Sequence, residues 1–255
     1  VVDEVGEAPW FTVCIVAFFS VSSWAAAVDD IIKNKKNSFF IIRNLAKVKN
    51  KNGMYIPPYY REEDREKLIA FMKAHNFANL VSVANNVPIA THLPFVIEER
   101  DEKLFLVSHM AKANPQWQSF GNNEPLIIFQ GPHAYISPSH YEKQQNVPTW
   151  NYIAVHAYGK ARIIDDPKEV WNLMERTIHR FEEKFMEQWK TLAPGYVNNM
   201  LKEIVAFEIE VTKLDGKYKL SQNKTKNEQQ QIIASLGSSE DSVQKEIAEE
   251  MKKKM

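Results

Sequence analysis

From residue 54 onward the apolar and polar positions change period several times, and each change marks an element. Residues 78–84 (ANLVSVA), 87–91, 94–97, 104–108, 125–130 and 150–164 alternate or run apolar over strand lengths. Asn85-Asn86 tolerates positive φ and predicts a tight hairpin between the first two. Residues 100–103 are expected to turn the chain, and Gly159 to form a bulge inside the last strand. Residues 204–214 alternate as a strand, Asp215-Gly216 reads as a hairpin turn, and residues 217–220 as the returning strand. Helical spacing takes over at Leu68, Phe71 and Met72 within 61–75. It returns at Val170, Met174, Ile178, Phe181, Phe185 and Trp189, one long helix capped by Asp166-Pro167 and broken by Pro194-Gly195. Residues 228–236 and 239–255 read as two further helices, the first stopped by Gly237. Short strands with few helices between them predict an α+β fold, mainly β, built as an antiparallel barrel with helices outside.

The stretch 127–159 is the focus of this pattern. Gly131-Pro132 predicts the end of the first flanking strand at Gln130, leaving a long loop before Trp150. A loop of that length between strands is uncommon without a binding role. Tyr135, Tyr141 and Trp150 offer rings, and Gln130, His133, Ser137, Ser139 and His140 offer hydrogen bonds. The same residues equally describe a proline-stiffened loop that covers the sheet.

Composition narrows the choices. The chain has 255 residues with 32 acidic and 32 basic side chains, so net charge supports no polyanionic partner. Residues 1–53 differ from the rest. They hold an uncharged run at 8–28, long enough to span a bilayer, then a Lys/Asn-rich linker. A signal peptide fits poorly, because acids precede the run. The expected organisation is an extension outside the fold over 1–53, a barrel domain over 54–222 and a helical segment over 223–255. The lone Cys14 excludes an internal disulfide and fits a reducing, cytoplasmic setting. Eight scattered glycines build neither a dinucleotide fingerprint nor a P-loop. The histidines show no metal-binding spacing, and His156 reads as a satisfied core residue. Glu98, Glu99, Asp101 and Glu102 read as a solvated face. No catalytic acid, base or nucleophile stands out, and no metal site.

Two stretches suit a phosphate. SHMAKANPQW at 108–117 sets Ser108 and Lys112 at the end of a strand, where a starting helix would favour an anion. KLSQNK at 219–224 joins two cations to Ser221, Gln222 and Asn223. A solvated surface lysine and a polar strand end are the plainer readings of the two.

MYIP at 54, THLPF at 91, AKANPQW at 111, IFQGPHAYISPSHY at 128, VPTWNY at 147 and GKYKLSQNK at 216 occur in one order. In them the chain resembles the PaiB-type FMN-binding negative transcriptional regulators over about 200 residues. The resemblance implies a split β-barrel of the pyridoxamine-phosphate-oxidase-like type, a homodimer, and FMN at the subunit interface. It implies Ser108, Lys112 and Asn114 near the flavin phosphate, with Gln130, Thr149 and Trp150 nearby. Lys219, Ser221 and Gln222 would come from the partner subunit. It also implies repression of extracellular protease production and sporulation; a flavin-dependent oxidoreductase or haem-handling enzyme of the same barrel class is the alternative. DNA is open to such a regulator as a partner, but net charge does not support it.

Overall fold

The computed structural model describes residues 53–121 and 124–255. The apolar run at 8–28, with Cys14, and the linker up to residue 52 lie outside them. Eight strands form one antiparallel sheet: β1 (Arg61–Glu62), β2 (Phe77–Ala84), β3 (Val87–Pro94), β4 (Val96–Arg100), β5 (Lys103–Ala111), β6 (Leu126–Ile136), β7 (Thr149–Ile164) and β8 (Ile204–Lys219). Their order is β3-β2-β6-β7-β8-β5-β4, with β1 paired to β8. The two ends of that path, β3 and β4, are neighbours in the chain, joined by Phe95. The sheet therefore curls until its edges meet at that corner. No ladder joins β3 to β4 among the described residues, which makes the barrel a split one.

Phe95 is fully buried there, edge-on to Phe129 at 6.0 Å and to Phe207 at 6.3 Å. Helix α1 (Arg65–Ala74), capped by the Asp64 carboxylate, adds Leu68, Ile69 and Met72 to this core. A second cluster lies under α2 (Pro167–Phe181), around Val107, Ile164 and Leu173. A third joins α2 to α3 (Phe185–Trp189) and α4 (Pro194–Lys202). The last helices, α5 (Lys226–Gly237) and α6 (Ser242–Lys252), share the main core through Ile232, Leu236, Ile247 and Met251. Residues 53–255 form one compact unit.

Both two-residue hairpins have positive φ throughout: Asn85 and Asn86 between β2 and β3, Asp101 and Glu102 between β4 and β5. Four expectations change. First, β6 does not stop at Gln130 but continues to Ile136, with Gly131-Pro132 as a bulge. A Cβ on Gly131 would lie 2.6 Å from the Phe71 ring, and a bulge needs no N–H from Pro132. Second, Asp215-Gly216 is not a turn. β8 runs straight through it, because Gly216 lies where Leu68 and the Glu62 backbone close in. Third, the long helix ends at Phe181, and α3 folds back so that Trp189 reaches Trp171, 5.0 Å between ring centroids. In one straight helix these would be about 27 Å apart. Pro194 starts α4 at its first turn instead of ending a helix. Fourth, Glu98 is largely covered and ion-paired to Arg176 at 3.0 Å, whereas Glu99, Asp101 and Glu102 are exposed as expected.

Gly159 is a bulge, as its sequence context predicts: register shifts between Tyr158 and Gly159 against β8. A Cβ there would lie 2.3 Å from the Glu210 carbonyl oxygen. Gly159→Ala is therefore expected to cost about 1–3 kcal/mol, read from the urea midpoint. Nearby, the buried Glu208 accepts from Arg100 at 2.6 Å and Arg162 at 3.0 Å, and Arg162 also pairs with Glu169 of α2. Burial alone would raise the Glu208 pKa, but the two arginines outweigh it and hold it below its ordinary value. Its contribution to stability is complete above the unfolded value of about 4.3 and is lost as pH falls through the depressed folded value. Glu208→Gln should lower stability by about 1–3 kcal/mol at pH 7, and its gap from the parent should close on acidification.

Candidate functional site

The alternation of β7 makes one strand serve two faces. Asn151, Ile153 and Val155 point into the core, while Trp150, Tyr152 and His156 point out. Beside them stand Gln130, His133 and Tyr135 of β6 and Asp215, Lys217 and Lys219 of β8. Ile128, Gln130, His133, Trp150, Tyr152 and His156 line an open hollow of about 570 Å³. Tyr135 and Trp150 are half exposed and meet edge-on at 5.9 Å. The Lys217 ammonium lies 5.2 Å from the Tyr152 ring. His156 is not the satisfied core histidine that the sequence implies: its Nδ1 is buried with no partner among the described residues. Burial holds its pKa below the ordinary range against the pull of Asp215, so the ring is neutral at pH 7.

Lys219 sits at the end of this wall. Its Nζ donates to the Thr149 hydroxyl and to the Trp150 carbonyl. Burial first, then the charge of Lys217, depresses its pKa. Ser221 has a positive φ of 62° and donates to Asn151 Oδ1 at 3.1 Å. Gln222 accepts from the Leu220 N–H at 2.8 Å and donates to the Tyr218 carbonyl. These two therefore shape the turn out of β8. The structure thus brings Gln130, Thr149, Trp150, Lys219, Ser221 and Gln222 into one region.

Ser108, Lys112 and Asn114 lie elsewhere. β5 continues to Ala111, so Ser108 is inside a strand, buried, and donates to the Pro94 carbonyl at 2.7 Å. Asn114 accepts from the Gln116 N–H at 3.0 Å and donates to Thr91 at 3.0 Å. It caps the short turn 115–119, which is 3-10 and too short to act as an anion-binding helix. Lys112 is exposed at the mouth of a second hollow, about 550 Å³, shared with Trp117, Leu201 and Lys202. The two groups occupy opposite ends of β8: Ala111 pairs with Ile204, and Lys219 closes the strand. That strand length is on the order of 40–50 Å.

Sequence reasoning missed Gln116 and Asn151, both fully buried. Gln116 donates to the Leu80 carbonyl at 3.0 Å, the Ser82 hydroxyl at 3.1 Å and the Ile89 carbonyl at 3.1 Å. A glutamine beside Asn-Pro gives no local sign of burial, since its partners come from β2 and β3.

Residues 54–213 match the family described as "Putative FMN-binding domain". The chain is 38% identical to Protease synthase and sporulation protein PAI 2 of Bacillus subtilis (strain 168), over 79% of this chain and 98% of that one. The chain belongs to the PaiB-type FMN-binding family. FMN is the cofactor this membership assigns. An uncharacterised protein of Emericella nidulans is 34% identical over 57% of this chain and 73% of its own length. Among solved structures, the flavocytochrome Anf3 from Azotobacter vinelandii superposes with a TM-score of 0.50 at 14% identity, covering 66% of this chain and 74% of that one. That likeness concerns the fold, a split barrel of the α+β class.

Among the described residues no helix is long and apolar enough to cross a membrane. In this PaiB-type chain the Gln116 side chain ties the turn beside Lys112 to β2 and β3. Gln116→Leu, which leaves the Leu80 and Ile89 carbonyls short of a donor, should cost about 1–3 kcal/mol in urea unfolding.

Proposed function

We propose that this chain is a PaiB-type negative regulator that pairs with a second copy and holds FMN in the seam between them. The observation that carries this reading is the separation of the two candidate seats along β8, far longer than one flavin. A single FMN can touch both only if they belong to different chains. The wall of β6, β7 and β8 supports it, since half-exposed aromatics beside unpaired polar groups suit burial against a partner. The residues fit the cofactor: an aromatic surface for a flat ring, the Gln130 amide for its polar edge, and a desolvated ammonium at Lys219. Lys112, which has no carboxylate partner among the described residues, would come from the other copy. FMN, when bound, supplies its own redox chemistry. The chain's residues bind, orient and shield it. The similarity to PAI 2 supports a role in repressing extracellular protease production and sporulation.

Sedimentation should give a dimer, and the absorbance spectrum should keep bound FMN through desalting. Trp150→Ala and Lys112→Ala should each weaken FMN binding about tenfold or more. Mixing and re-pairing the two variants should restore tight binding at about one site in four, because half the pairs are mixed and each carries one intact seam. No recovery would place both residues in one chain's site and end this reading. A mobility shift with promoter DNA at physiological salt distinguishes direct repression from an indirect role.

A further inference from the structure

At the end of β8 away from Lys219, three strands finish together. Ile164 of β7 pairs with Ala206, Ala111 of β5 pairs with Ile204, and the Lys112 N–H donates to the Glu203 carbonyl at 2.8 Å. From here β7 leads into α2, and α4 leads back into β8. The end of α2 packs on the start of α4 through Ile178, Trp189 and Val197. Between the first turn of α2 and the last turn of α4 lies the hollow of about 550 Å³. Its floor is apolar and buried, made by Ile164, Val205 and Ala206, and Trp117, Val170 and Leu201 stand half-buried around it. That volume falls in the range of about 300–1,000 Å³ that suits small organic ligands.

The rim is polar and unspent. Lys112, Asp165, Asn198 and Lys202 line the hollow and are exposed, and none of their side chains makes a hydrogen bond or ion pair among the described residues. The arginines nearby are different, since Arg100 and Arg162 are held by Glu208. Asp165 precedes the first turn of α2, whose positive end offsets its charge. Two ammoniums therefore face an apolar cavity without a carboxylate on either. A cationic ligand would be repelled, and a wholly apolar one would leave the ammoniums unused. An apolar body with a single anionic head uses both features, and the lysine stems lengthen the apolar wall.

We propose that this hollow binds a small monocarboxylate with an apolar body, on the pattern of a medium-chain fatty acid. Its chain lies over Ile164 and Val205, and its carboxylate accepts from Lys202 and the Asn198 amide. The site uses no residue of the aromatic wall. It does not need Lys112, which the dimeric flavin reading assigns to the cofactor, so the two readings stand separately.

The test is calorimetric titration of the full chain with octanoate, butyrate and octylamine, with and without saturating FMN. Octanoate should bind, butyrate should bind about tenfold or more weakly, and octylamine should not bind. Lys202→Ala should weaken octanoate about tenfold or more and Lys202→Arg should not, while Lys160→Ala, another exposed lysine, serves as the neutral control. Asn198→Trp, at an exposed helix position, should fill the hollow and abolish binding with the melting temperature kept. Octanoate should also shift the tryptophan emission of the parent but not of Trp117→Phe, which should still bind it by calorimetry. No octanoate binding overturns the proposal, as does equal binding of octylamine or binding that neither Lys202→Ala nor Asn198→Trp weakens. Competition between octanoate and FMN would make the hollow part of the cofactor's seat and overturn it as well. Octanoate binding by protein that takes up no FMN supports the proposal and counts only against the flavin reading.

Discussion

The long antiparallel ladder between β7 and β8 is what the rest of this structure depends on. Each strand is 16 residues, enough to reach from one end of the barrel to the other. Because successive side chains alternate, one set of backbone hydrogen bonds fixes two surfaces together. Ile153, Val155, Phe207 and Ile209 go inward, and Trp150, Tyr152, Lys217 and Lys219 go outward. A one-residue slip would exchange them, so the core specifies the register of the wall. The single irregularity, at Gly159, is accommodated because β8 approaches too closely there for any side chain.

The electrostatics divide along the same ladder. Toward Ile204 the arginines are neutralised within the chain: Arg100 and Arg162 meet Glu208, and Arg176 meets Glu98. These pairs fasten α2 and the hairpin of β4 and β5 to the sheet. Toward Lys219 the pattern is different: Lys213 still pairs with Asp215, but Lys217 and Lys224 lie against aromatic rings and Lys219 donates to the Trp150 carbonyl. Ammoniums desolvated without a counter-charge contribute little to folding. They do suit an anionic ligand, in keeping with the flavin reading of this end of the barrel.

Much of the architecture was legible because its causes are local. Asn-Asn at 85–86 tolerates the backbone of a tight hairpin, and Asp166-Pro167 starts a helix. The misread points share another cause. Gly131-Pro132 and Asp215-Gly216 are breakers by local rules, yet both lie within strands because α1 packs against them and needs the absent side chains. The fold-back after Phe181 left no mark in the periodicity, since Trp189 keeps the apolar spacing whether or not the helix is continuous.

By itself, the sequence determined the hairpins, the caps, the alternating strands and the family. These follow from near-neighbour sterics and from motifs that survive as strings. Only the tertiary structure decided which candidate residues are neighbours. It set Ser108 against Pro94 and Gln116 among β2 and β3. It also left the Tyr141 hydroxyl and His156 Nδ1 buried without a partner among the described residues. Whether a polar side chain is spent or available depends on what distant strands bring to it, and no spacing along the chain records that.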